Sequence, residues 1–176
     1  MDQASLEYTL VKSIDGEMIM AVVAIYTVGR LKHPNEHPAS REFFEAGYKV
    51  MMQAEFSGQM IKEFSAYGVP IPNETESIKG EGEPILTLTV WKSLQSLYRF
   101  TYNGKHKQAL QNRNKYIEFH QGKRPTYVVW WAESVKDVSW EEAFKRYNYY
   151  IENGPTPDAF DLKQAFDECG EGVMVK

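Results

Sequence analysis

The residues of this sequence whose chemistry could be put to work are His106, Arg113 and the tryptophans at positions 91, 130 and 131. An imidazole titrates near neutral pH, so it can carry a proton to or from a substrate or ligate iron. A guanidinium can hold a carboxylate or phenolate, and indoles make broad apolar walls. His106, Leu110, Arg113 and Ile117 recur at helical spacing and so share one stripe. Together they read as the edge of a small-molecule cavity. His106 is the catalytic candidate, and Trp91, Arg113, Trp130, Trp131, Thr89 and Tyr26 are the ligand-binding candidates. Each has a plainer reading that stays open. His106 can be a core histidine bonded to backbone, Arg113 can pair with a carboxylate of the same domain, and the indoles can be core packing. Trp130 and Trp131 are adjacent in a strand, so at least one of them faces away from any cavity.

No nucleophile elbow, phosphate-binding glycine loop or dinucleotide fingerprint is present. His33 and His37 stand four apart, but Pro34 and Pro38 remove the helix that such a metal pair would need, so no metal site is expected. The net charge of -4 argues against a nucleic-acid partner, which would need clustered basic residues. Cys169 is alone, which excludes an intrachain disulfide and fits a reducing, cytoplasmic setting. The apolar run from Met18 to Val28 is too short to span a bilayer, so no membrane association is expected. A length of 176 residues suits one domain.

The elements that must position these residues centre on Pro84 to Glu118. This stretch reads as a strand, a turn at Trp91 and two helical segments broken at Asn103-Gly104. Leu86, Leu88 and Val90 take one face of the strand, and Ile85, Thr87, Thr89 and Trp91 the other. Upstream, Leu6 to Val11 alternates and Asp15-Gly16 suits a hairpin turn, giving an N-terminal extension over residues 1–17. Met18 to Leu31 is a strand apolar on both faces. Ser40 is expected to cap a helix to about Phe56 with Phe44, Tyr48, Met51 and Met52 as its apolar stripe. Gln59 to Tyr67 follows as a polar strand, and Gly68 to Gly82 as a flexible loop that could close over a pocket. A turn over Gly122 to Pro125 leads to the last strand, Thr126 to Glu133. A capping box at Ser139 and Glu142 opens a helix that Gly154 ends, and Thr156-Pro157-Asp158 starts another short helix. The domain proper is expected over residues 18–166, with a C-terminal tail at 167–176 that is loose after Gly170.

This order matches an α+β, ferredoxin-like split β-α-β arrangement, an antiparallel sheet with helices on one face. The other face would then be open and apolar. A homodimer that packs two such faces together, enclosing a barrel with a cavity, is the expected remedy.

The run LTVWKSLQSLYRFTYNGKHKQAL, Arg113-Asn114-Lys115-Tyr116, the VVWW of the last strand, and Gly154 to Phe160 resemble a bacterial family of unknown function in the dimeric α/β-barrel superfamily. The likeness runs from about Met20 to Phe166. Other branches of that superfamily include antibiotic-biosynthesis-type and haem-degrading monooxygenases. The resemblance therefore implies a small-molecule-binding barrel with oxygenase-like chemistry, with no cofactor or with haem. A non-catalytic binder or sensor of a small apolar ligand or haem is the alternative, and a purely structural dimeric module is a third reading.

Overall fold

A strand with large apolar groups on both faces must be paired on both edges and covered on both sides, and the rest of the chain supplies this for Val22–Leu31. The computed structural model describes residues 11–14, 17–19, 21–120 and 124–176. The run from Leu6 to Leu10, the Asp15-Gly16 turn and Gly122-Lys123 lie outside the described residues. In chain order the elements are β1 Val11–Ile14, β2 Glu17–Ile19, β3 Val22–Leu31, α1 Pro38–Phe56, β4 Met60–Phe64, β5 Pro84–Trp91 and α2 Leu94–Tyr102. They continue with α3 Gly104–Tyr116, β6 Ile117–Glu118, β7 Tyr127–Ala132, α4 Trp140–Asn153, β8 Ala165–Phe166 and β9 Gly172–Val173.

β3 is the middle strand. On one side it pairs with β5, from Val23 opposite Trp91 to Arg30 opposite Pro84. On the other side it pairs with β7, from Val22 opposite Ala132 to Thr27 opposite Tyr127, and then with the short β6. β4 lies beyond β5, and every neighbouring pair is antiparallel. Outside β7, Phe160 adds one further bridge by exchanging two backbone hydrogen bonds with Val129. The α+β class and the antiparallel sheet thus follow the sequence pattern. β3 begins at Val22 instead of Met18, because β2 pairs antiparallel with β1 in a separate two-stranded sheet.

The two faces of the sheet have separate cores. Val22, Ala24, Tyr26, Val28, Leu88, Val90, Val128 and Trp130 pack with Ala143, Tyr147 and Tyr150 of α4. Val23, Ile25, Trp91 and Val129 pack with Ala54 of α1, Leu94 and Leu97 of α2, and the C-terminal residues Phe160, Leu162 and Ala165. Helices on one face only was the expectation, and α4 corrects it. Its buried residues recur at i, i+4 and i+7, giving it one apolar side, and that side lies on the face that was expected to be open. The apolar surface invoked for a sheet-to-sheet homodimer is therefore covered by the chain itself. No closed barrel is formed among the described residues.

Five local readings also change. Pro38 takes the first position of α1, and His37 is the cap, its Nδ1 accepting from the Ala39 N–H at 3.1 Å. Ser40 is instead buried in the first turn and donates to the His33 carbonyl at 3.0 Å. α1 buries Val50 and Ala54, while Phe44 is 45% and Tyr48 68% exposed, so the expected stripe faces largely outward.

The loop before β5 is pinned. Arg30 donates to the carbonyls of Gly82 at 3.1 Å and Thr75 at 3.3 Å, and Ile78 is buried in the α4-side core. A side chain at position 82 would meet the His33 carbonyl at 2.1 Å, so only glycine lets the loop lie so close. The segment after Gly154 forms tight bridges instead of a helix, because Thr156 and Ala159 bond to each other and free Phe160 to extend β7. Beyond Gly170 the chain is held too, with Val175 packed against the second core.

Tyr147 carries much of the α4 cover. Its ring meets Tyr26 edge-on at 5.5 Å and its hydroxyl donates to the Pro125 carbonyl at 2.8 Å. Tyr147→Ala is expected to lower unfolding stability by about 3–5 kcal/mol, by analogy with other buried aromatic truncations, read as a shift in urea midpoint.

Candidate functional site

The start of α2 is built by Ser93 and Ser96, whose side chains cap each other's backbone N–H groups in a capping box. Trp91, two residues earlier, is fixed by the strand it ends. Its indole N–H donates to Thr89 Oγ1 at 2.9 Å, and both residues are buried on the α2 side of the sheet. The Phe100 ring lies 4.6 Å from that of Trp91. Gly104, at φ +57, ends α2 and starts α3, and a Cβ there would come within 2.7 Å of the Gln53 amide. Gln53 in turn accepts from the Lys105 N–H at 3.1 Å, tying α1 to the break between the two helices.

These contacts leave an open hollow of about 710 Å³ between the end of α1, the end of β5 and the start of α2. Trp91, Tyr98 and Phe100 give it aromatic walls. Gln53, Gln59, Gln95, Asn103 and three serines supply neutral polar groups, and Arg99 and Lys176 are the charged residues of its lining among those described. Gln95 donates a hydrogen bond to the main-chain oxygen of Lys176.

The residues singled out from the sequence are only partly brought together. Trp91 lines the hollow with Thr89 holding its ring, and Trp131 lies on the same face of the sheet, donating from its indole to the Phe166 carbonyl at 2.8 Å. Tyr26 and Trp130 are on the opposite face, buried under α4. The alternation of strand side chains makes that separation unavoidable.

His106 is half-buried on α3, with its ring 4.8 Å from that of Phe100 and outside the lining of the hollow. Its Nδ1 bonds to the Thr101 carbonyl at 3.0 Å. A carbonyl only accepts, so Nδ1 carries the hydrogen in the neutral ring. Burial pushes the His106 pKa below the ordinary imidazole value of 6.5, and the Thr101 bond opposes that shift.

Arg113 is exposed, its guanidinium 5.4 Å from the Phe119 ring centre, so it does not share an inward stripe with His106. α3 buries no residue completely, because it leans on α1. Lys115 Nζ lies 2.7 Å from Glu42, and the Tyr116 hydroxyl donates to the same carboxylate at 2.5 Å. Those two bonds, that of Lys115 foremost, hold Glu42 below the usual carboxylate range.

Several polar groups carried no sequence signal. Gln53, Gln95 and Arg99 line the hollow only because α1 and α2 converge there. Glu63 on β4 has its pKa raised by burial and by Glu55 of α1, eight positions away in a different element. His120 is buried and bonds to Ser77 at 3.0 Å across the loop before β5. Tyr150 donates to Asp161 at 2.6 Å, and the Tyr127 hydroxyl accepts from the Leu162 N–H. Burial pushes both phenols well above their usual range. No group of three or more potential metal ligands occurs among the described residues, and no described helix is long and apolar enough to cross a membrane.

Fold and hollow together define an antiparallel α+β protein whose main sheet has five strands among the described residues, with helices on both faces and an aromatic-walled depression beside its second helix. The chain belongs to the family described as "Domain of unknown function (DUF3291)", whose model matches residues 22–173. That bears out the resemblance to a family of unknown function. No curated protein and no solved structure matches the chain.

Two outcomes check this geometry. Thr89→Val strips the buried Trp91 N–H of its acceptor and is expected to cost about 1–3 kcal/mol of unfolding free energy. For His106, the folded-state pKa lies below the unfolded one. The associated stability is therefore complete above the ordinary imidazole value and is lost as the pH falls through that value toward the folded one. Urea midpoints of the wild type should fall between pH 7.5 and pH 5 by more than those of His106→Asn.

Proposed function

We propose that this chain is a non-catalytic binder of a small, flat molecule, which it holds in the hollow at the start of α2. The observation that carries this reading is the lining itself. It joins aromatic walls to amide and hydroxyl groups and, among the described residues, includes no carboxylate side chain, histidine or cysteine that could exchange a proton near neutral pH or attack a substrate. A volume of about 710 Å³ suits a small organic ligand.

The scaffold is proposed to be a ferredoxin-like split β-α-β unit over residues 18–166. The strand order β4-β5-β3-β7 with antiparallel neighbours supports that reading. Residues 167–176 are proposed as an appended tail that lends Lys176 to the rim of the hollow.

An oxygenase-like activity through His106 has less support. Its ring packs on Phe100 away from the hollow, and its Nδ1 is committed to the Thr101 carbonyl. The same placement does not fit haem, which would need an imidazole nitrogen facing a slot wide enough for the macrocycle. The homodimer is not part of this proposal, since α4 occupies the face it required.

Salicylamide, a neutral flat probe, tests the reading by calorimetry and by the chemical shift of the Trp91 indole. Saturable binding at micromolar to millimolar concentration is expected. Gln59→Trp, which fills the hollow from an exposed rim position, should weaken binding about tenfold or more. Incubation in air should return the probe unchanged. Absence of saturable binding, or conversion of the probe to a product that depends on His106, would sink the proposal.

A further inference from the structure

We infer that the hollow selects an aromatic carboxylate over its neutral counterpart, with Gln95 and Arg99 as the groups that grip the acid. This rests on the binder reading above and adds the chemical class of the ligand.

The first support is a local reversal of charge. The chain carries 24 Asp and Glu against 20 Lys and Arg, yet among the described residues the hollow is lined by Arg99 and by no Asp or Glu, while Lys176 brings both its ammonium and its main-chain carboxylate. In a protein of net charge -4 such a patch attracts anions only at short range, which favours a ligand that reaches the rim.

The second support is placement. Gln95 and Arg99 are four apart on α2 and so lie one above the other on the side of the helix that lines the hollow. One amide N–H of Gln95 is taken by the main-chain oxygen of Lys176, and the same nitrogen carries a second N–H for a ligand. Among the described residues no ion pair engages Arg99. Its planar fork of donors matches the two oxygens of a carboxylate, and Gln95 offers a further donor to the same group.

The third support is the wall behind these donors. Trp91 and Phe100 lie with ring centres 4.6 Å apart, and Tyr98 stands on the same helix as Phe100. A bare inorganic anion would leave that apolar surface wet. An acid on a flat ring covers it while its charge stays at the rim.

Salicylate and salicylamide share one ring and differ in charge, so calorimetry with the pair on the full chain isolates the claim. Salicylate is expected to bind about tenfold more tightly than salicylamide, and raising the salt concentration should erode that advantage. Arg99→Gln, an exposed substitution whose folding is checked by thermal melt, should bring the two affinities to within about twofold, with Arg99→Lys intermediate. Equal affinities in the wild type would overturn the charge selection and leave the binder reading standing. A salicylate preference that survives Arg99→Gln would overturn the assignment to Arg99. Failure of both probes to saturate would overturn both readings.

Discussion

β3 is apolar on both faces, and the burial of both is the constraint from which the architecture follows. Tyr26 and Ile25 are neighbours in sequence, yet one sits under α4 and the other under the α2 side of the sheet. Leaving either face wet would forfeit roughly 25 cal/mol for each Å² of apolar surface, which over a whole sheet face exceeds the net stability of a typical domain. The chain meets the demand with two unlike covers. One is a single helix with aromatic teeth, Trp140, Phe144 and Tyr147, that meet Tyr26 edge-on. The other is a composite of α1, α2 and the returning C-terminal segment, with Phe160 bonded to the free edge of β7.

The composite cover explains where the hollow lies. α4 brings one continuous apolar side to its face and seals it. On the other face, α1 and α2 approach from different directions, and the break at Gly104 turns α3 away from the sheet and onto α1. Three elements that meet at their ends leave a gap between them, and here the gap opens beside Trp91. Its chemistry is inherited from helix ends and cap positions such as Ser57 and Ser93, where serines satisfy backbone groups.

Much of the scaffold was legible because local rules and tertiary packing agree there. The face assignments of Leu86, Leu88 and Val90 against Thr87, Thr89 and Trp91 follow from the period of a strand. The helix break at Asn103-Gly104 and the ends of α4 at Ser139 and Gly154 follow from turn and cap chemistry. Where local signals compete, the reading failed. Ser40 is a good cap by type, but Pro38 starts the helix earlier and makes His37 the cap. Phe44 and Tyr48 have the spacing of a core stripe, but α1 is only a partial cover and leaves them in water. The loop rich in glycine and proline before β5 looks mobile, but Arg30, far from it in sequence, holds two of its carbonyls.

By itself the sequence determined the types of the long elements, the two-sided demand of β3, the opposite facing of Trp130 and Trp131, and the kinship with a family whose function is unassigned. These depend on side-chain period, turn residues and motif spacing, all properties of neighbouring positions. Only the tertiary structure decided that α4 covers the second face, that His106 turns to Phe100 and Thr101, and that Gln95 and Arg99 border a hollow with Trp91. Those outcomes depend on which helix lands on which face. That is fixed by the burial of the whole apolar surface, a quantity no short stretch of sequence contains.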